Sequence, residues 1–285
     1  MRACVVAPPR GVLPSRPRVD PAGLSAIDLA LAALAAVAAG AVNALAGGGT
    51  LITFPTLIAL GLPPVAANVT NTLAVAPGAL GGSLAQRREL SGQRRRLARL
   101  TPAALLGGLV GGFLLLHTEE ALFRRLVPWL ILSAAALLAV QEPVRELLHR
   151  RLHASPAAFA VGGHRGDHSE GLATVSVFAA SIYGGYFGAG LGVILLAALG
   201  LVLHDSLTRL NATKQVIGFS ANLAAAVLFG LHGPVHWPAA LVMALGAIAG
   251  GTVGGHLAGR VRAGTLRRVV VSIGLLVGLA YLIRG

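Results

Sequence analysis

Charge is scarce in this sequence. Only 12% of its 285 residues are Asp, Glu, Lys or Arg, against roughly 25% in an ordinary soluble domain. Acidic residues number 10, and they stand in connections or near the ends of apolar runs, from Asp20 and Asp28 to Glu170 and Asp205. No carboxylate occupies the middle of a run. The usual carriers of protons and cations across a membrane are therefore missing, which points away from a cation transporter and toward an anion. Paired aspartates and metal-protease motifs are also missing, which excludes intramembrane proteolysis. The single cysteine, Cys4, excludes an internal disulfide framework. Of 23 basic residues only one, Lys214, is lysine. Residues 1–22 are rich in Arg and Pro and lack the apolar core of a secretory leader.

What is abundant is apolar length. Hydrophobic residues make up 55% of the chain, and its mean hydropathy is +0.76. At least six runs are long enough to cross a bilayer core, which takes roughly 20 residues. Examples are Ala26–Ala46, Leu100–Leu116, Leu126–Val140, the run ending in Leu223–Leu231, Ala239–Leu257 and Val269–Ile283. Lipid leaves backbone groups no partner outside the segment, and the alternation of a barrel strand is absent, so the fold class is all-α and polytopic. A net charge of +13 invites a nucleic-acid partner. Most of the arginines, however, sit in short connections between spans, where topology signals belong. The partner is a lipid bilayer, with no nucleic acid.

The chain repeats itself. "AGGGT" at 46–50 returns as "FGAGLG" at 187–192, "LGL" at 60–62 returns at 199–201, and "NVTN" at 68–71 returns as "NATK" at 211–214. "PAAL" at 102–105 returns at 238–241, and Arg124–Arg125 return as Arg267–Arg268. The organisation that follows is a tail at 1–23, expected to be disordered, and a first transmembrane repeat at 24–140. A polar linker at 141–169 leads to a second repeat at 170–285. Each repeat holds a span ending in a glycine cluster, a short apolar segment and three more spans. As helices the short segments, 50–62 and 191–203, measure about 20 Å against a core of about 30 Å. Each is expected to be a half-helix after unwound glycine backbone. If each crosses, a repeat has an odd number of segments and the second is inverted. Loops 85–99, 141–169 and 259–268 then share one side with 6, 4 and 4 arginines, which makes that side cytoplasmic.

The glycines carry the functional reading. Gly47, Gly48 and Gly49 interrupt the stretch "NALAGGGTLITFPTLIALGLPP". Their N–H groups would head the half-helix beside Thr50 and Thr53, where an anion is favoured. Gly188 and Gly190, with Gly192, would do the same in the second repeat. The alternative role for glycine is close helix packing. That role fits the four-residue spacings of Gly107/Gly111, Gly108/Gly112 and Gly246/Gly250/Gly254 better than a contiguous run. Replacing Gly48 with Ala should then extend the helix and raise stability slightly. Polar candidates are Asn43, Asn68, Thr70, Asn71, Asn211, Thr213, Lys214 and Asn222, each also explicable as an interhelical hydrogen bond. Asn68 and Asn211 also open glycosylation-type triplets, but their equivalent positions at span starts favour lining a site. Lys214 is the only formal charge between Arg209 and Arg260. It either faces an oxyanion or snorkels to the interface. His149, His153, His164 and His168 have no tight metal spacing. "GAGLG" at 188–192 has no strand–helix unit around it, as a dinucleotide loop requires.

Two stretches, "AVNALAGGGTLITFPTLIALGLPPVAANVTNTLAVAPGALGGSLAQRREL" and "YGGYFGAGLGVILLAALGL…NATKQVIGFSANLAAAVLF", resemble the sulfite exporter TauE/SafE family. This family is also called the 4-toluene sulfonate uptake permease family, and the likeness spans about 25–284. The second cluster departs from the pattern by being interrupted. The resemblance implies a bacterial inner-membrane permease, not an enzyme and without cofactor. Its substrate would be sulfite, an organosulfonate or a similar small anion, moved by alternating access between the two repeats. The alternatives are a channel-like anion uniporter, or a scaffold that docks an anion-processing enzyme through linker 141–169.

Overall fold

The structure is a computed structural model that describes residues 23–45, 48–85, 87–153, 166–203, 205–257 and 263–284. The tail at 1–22 and residues 154–165 of the linker lie outside them. Among the described residues there is no strand, and the chain forms eleven α-helices. These are α1 (Ala26–Leu45), α2 (Thr50–Ala59), α3 (Pro64–Ala85), α4 (Arg94–Leu116), α5 (Glu120–Ala139), α6 (Gln141–His153), α7 (Gly166–Tyr186), α8 (Leu191–Val202), α9 (Leu207–His232), α10 (Trp237–Leu257) and α11 (Ala263–Arg284). A 3-10 turn at Arg87–Leu90 precedes α4.

Six of these, α1, α4, α5, α9, α10 and α11, are long and apolar enough to span a bilayer, and each overlaps one of the apolar runs named above. Their outward faces present Leu34, Leu245, Leu276 and Ile283, side chains that lipid solvates well. Local signals set the helix starts. At α1, Ser25 N–H and Oγ–H donate to Asp28 Oδ2 while Asp28 N–H donates back to Ser25 Oγ, a reciprocal cap. At α9, Ser206 Oγ accepts from Arg209 N–H. The short segments are indeed short: α2 has 10 residues and α8 has 12, about 15–18 Å of helix.

The two halves follow one register. The starts of α3, α4 and α5 (Pro64, Arg94, Glu120) and of α9, α10 and α11 (Leu207, Trp237, Ala263) are each 143 residues apart. The "NVTN"/"NATK" and paired-arginine matches share that spacing, and the "LGL" and "PAAL" matches do not. Packing runs across the halves. α1 lies on α10 as α4 lies on α7, α3 on α10 as α4 on α9, and α3 meets α9 as α5 meets α11. The linker proves more structured than a polar connection. α6 buries Leu148 against the α8 backbone at Gly200 and ties Glu142 to Arg267 Nη1 at 2.7 Å.

Glycine makes the cross-half seams possible. A Cβ on Gly107 of α4 would lie 2.5 Å from Phe178 O of α7, and one on Gly111 would strike Ile182 O. On α10, a Cβ at Gly250 would strike Val37 O of α1, and one at Gly254 would lie 2.7 Å from Ala41 Cα. Lipid supplies no hydrophobic drive between helices, so close backbone approach must supply the attraction. The packing role assigned to these glycines is the one they fill. Gly111→Ala and Gly250→Ala should therefore each cost about 1–3 kcal/mol through overpacking. Thermal unfolding in detergent should show it as a lower midpoint, while Gly171→Ala, with open space around it, should leave the midpoint unchanged or slightly raised.

Candidate functional site at the helix breaks

The first break separates α1 from α2. Gly47 lies outside the described residues. Gly48 has φ +90°, a conformation open to glycine and rarely to L-residues. Gly49 caps α2, its carbonyl accepting from Ile52 N–H at 2.9 Å and Thr53 N–H at 3.2 Å. Thr53 Oγ1 also donates to that carbonyl at 3.3 Å. Gly49 N–H donates to Asn43 Oδ1 at 2.7 Å. One of the N–H groups expected to meet an anion is thus already engaged, and Asn43 acts as its cap. Thr50, half-buried, opens α2.

The second break is built differently. Gly188 and Gly190 have φ +79° and +80°, and Gly190 caps α8. Its carbonyls are held from several directions. Asn68 Nδ2 donates to Tyr186 O at 2.8 Å, and Tyr183 Oη donates to Ala189 O at 2.6 Å. Phe187 and Gly188 N–H both donate to Tyr183 O. Phe187 stands edge-on to Phe54 of α2, ring centroids 5.2 Å apart. The donors are another matter. Among the described residues, the N–H groups of Ala189, Gly190 and Gly192 have no acceptor. They sit at the electropositive start of α8.

Lys214 completes this corner. Its Nζ reaches across from α9 to within 3.8 Å of where a Cβ on Gly192 would stand. The side chain thus lies along the first turn of α8 instead of snorkelling away. No carboxylate among the described residues pairs with it, and Arg145 of α6 adds a second positive charge close enough to act on it. Asn222, also on α9, places Oδ1 3.6 Å from the Cβ position of Gly188. Tyr183 escaped the sequence reading because an aromatic in an apolar helix looks like core.

The remaining candidates divide into pins and open groups. Thr70 Oγ1 accepts from His236 N–H at 3.0 Å, just before α10. The Thr213 hydroxyl lies 2.8 Å from Gln93 Oε1, just before α4, and 2.9 Å from Arg209 O. Both threonines fasten the entry to a helix of the other half. Asn211 is engaged as well. Asn68 and Asn71 are buried, and neither Oδ1 has a partner among the described residues. A buried unpaired polar atom costs about 1–3 kcal/mol, so a water or a substrate group is the natural complement. Burial within α3 also removes Asn68 as a sugar acceptor.

The geometry reverses one expectation. An Ala at Gly48 would have to adopt φ +90° with its Cβ 2.6 Å from Leu138 Cδ2, so it strains the break instead of extending a helix. Gly48→Ala and Gly190→Ala should each lose about 1–2 kcal/mol of stability. Asn43→Ala should lose about 0.5–1.5 kcal/mol with the Gly49 hydrogen bond, and Asn43→Asp, which keeps the acceptor, should lose less. Thermal unfolding of the detergent-solubilised protein without added anion reads all four.

The comparisons with known proteins agree with this architecture. The family model described as "Sulfite exporter TauE/SafE" matches residues 32–281. A "Probable membrane transporter protein" of Haemophilus influenzae is 32% identical over 216 residues, 76% of this chain and 79% of that protein. The "Probable membrane transporter protein YfcA" of Escherichia coli K12 is 26% identical over 227 residues, 78% of this chain and 77% of its own. The "Probable membrane transporter protein ORF9" of a Sinorhizobium species is 27% identical over 260 residues, covering 88% and 92%. No solved structure matches. With its helical bundle, six helices among the described residues long and apolar enough to cross a bilayer, and a match over nearly its whole length, the chain belongs to the sulfite exporter TauE/SafE family of membrane transporters.

Proposed function

We propose that this transporter moves a small sulfur-containing oxyanion, such as sulfite or an organosulfonate. The substrate sits at the first turn of α8, between the N–H groups of Ala189, Gly190 and Gly192 and the Lys214 ammonium. The observation that carries the reading is that ammonium beside unpaired N–H groups, with no carboxylate among the described residues to neutralise it. An anion with several oxygens meets both kinds of donor at once, and the helix start adds its partial charge. From the first half come the first glycine break and the amide of Asn71, whose position on α3 matches Lys214 on α9. The family description favours sulfur chemistry.

The mechanism proposed is alternating access between residues 24–140 and 170–285, acting as inverted repeats. Its support is the common register of the helix starts, the reciprocal packing of the halves and the odd number of helices in each.

Lys214→Met should weaken anion binding about tenfold or more, as expected when a charge-assisted hydrogen bond worth about 1.5–3 kcal/mol is lost. Lys214→Arg should recover part of it, since guanidinium keeps the charge and changes the geometry. The measurement is the thermal shift of purified protein titrated with sulfite, sulfonates, sulfate and carboxylates, paired with uptake in proteoliposomes. An unchanged shift in Lys214→Met would remove this site. Orientation has its own test in a Cys4→Ser background. With inverted repeats, Ser91→Cys should resist an impermeant thiol reagent in intact cells while His232→Cys reacts. Reaction of both, or of neither, would mean parallel repeats.

A further inference from the structure

The two halves differ most where they should be alike. Before α4, and between α8 and α9, a polar network ties the halves together. Arg96 Nη1 donates to Asp205 Oδ2 at 2.6 Å, and Arg209 Nε lies 3.1 Å from Asp205 Oδ1. Arg209 Nη1 donates to Ser91 O at 3.3 Å. Gln93 accepts from Arg96 and from Thr213 through Oε1 and donates to Arg209 O through Nε2. The Asp205 carboxyl is pushed up by burial. The hydrogen bonds and charge of Arg96, the Ser206 N–H and Arg209 outweigh that and hold it below the usual carboxylate range.

At the matching place in the other half the same positions are mostly apolar, and no ion pair joins them among the described residues. A step of 143 residues carries Asp205, Ser206 and Arg209 onto Leu62, Pro63 and Ala66. It carries Ser91, Gly92 and Gln93 onto Pro234, Val235 and His236. Those six counterparts line an open groove of about 310 Å³. The threonine pin survives there, from His236 N–H to Thr70 Oγ1, and Glu120 Oε1 accepts from Val65 N–H at 3.4 Å. One corner is thus latched by ion pairs, and among the described residues the other has none.

We propose that these corners are the two gates of the transport path. The Arg96–Asp205–Arg209 latch closes one face while the groove at Leu62, Ala66 and His236 admits substrate from the other. The assignment rests on the inverted-repeat reading above, because inversion places equivalent corners on opposite faces of the membrane. Partly exposed ion pairs are individually weak, which suits a gate that must open in every cycle. The groove side is lined mainly by apolar side chains and carries no ion pair among the described residues. Breaking the latch therefore favours the opposite conformation, with the groove shut.

The test uses full-length Cys4→Ser protein in lipid nanodiscs and measures maleimide labelling rates at two reporters. Ala66→Cys reports the groove and Leu210→Cys, buried beneath the latch, reports the other face. Adding Asp205→Asn should slow labelling at position 66 at least threefold and speed it at position 210. Arg96→Gln should do the same, and it serves as the measurement if Asp205→Asn does not fold. Unchanged rates at both positions, with only a lower unfolding midpoint, would make the network a structural staple and overturn the gate. Faster labelling at both would mean a loosened bundle and would overturn it too. The permease reading is judged separately. Saturable anion uptake by the unsubstituted protein sustains it whatever the labelling shows, and reciprocal labelling without any anion flux would leave the gates standing and remove the substrate assignment.

Discussion

A backbone that stops being helical inside a bilayer leaves polar groups that lipid will not solvate, and the bundle is arranged around holding them. At the first break the holder is local, Asn43 accepting from Gly49 N–H. At the second it comes from the other half, Asn68 of α3 donating to Tyr186 O at the end of α7. Tyr183 then secures Ala189 O. The carbonyls of Tyr183, Tyr186, Gly188, Ala189 and Gly190 accept from protein donors, while among the described residues the N–H groups of Ala189, Gly190 and Gly192 find no acceptor. Lys214 and the Asn222 amide lie beside these groups, and the buried Asn68 Oδ1 and Asn71 Oδ1 on α3 are likewise without a partner among the described residues.

The second constraint is distance between helix axes. α1 against α10 and α4 against α7 approach so closely that glycine carbon meets carbonyl oxygen. In water such seams would be optional, because burial of larger side chains would drive association. In lipid the contact itself is the attraction. Because each seam joins one half to the other, the halves interlock. The short helices α2 and α8 sit within this frame, α2 set edge-on against the second break through Phe54 and Phe187. The breaks share a neighbour as well. Gly48 faces Leu138 and Gly190 faces Leu137 on the same turn of α5.

Much of this was legible in the sequence, for a physical reason. Hydropathy fixes which segments prefer lipid, and glycine, proline and polar caps fix where helices stop. Both are properties of a few consecutive residues. The breaks at Gly48–Gly49 and Gly188–Gly190 and the shortness of α2 and α8 followed from them, as did the packing role of Gly107, Gly111 and Gly250. The "NVTN" and "NATK" segments marked the register of the helices. The "PAAL" match falls outside that register because proline, alanine and leucine are common enough here to recur by composition alone.

The chain's own order of residues therefore determined the solvent, the helices, their breaks and the scarcity of negative charge within the apolar runs. Tertiary structure alone decided which polar groups are spent and which remain. Thr70 and Thr213, candidates from their places at span starts, are hydrogen-bonded to His236 and Gln93, which stand 166 and 120 residues away in the chain. Gly49 looked open and is capped. Asp205 looked like an ordinary loop carboxylate and joins the two halves through Arg96, 109 residues away. Such pairings depend on where distant helices cross, and no local pattern of hydropathy or capping encodes that.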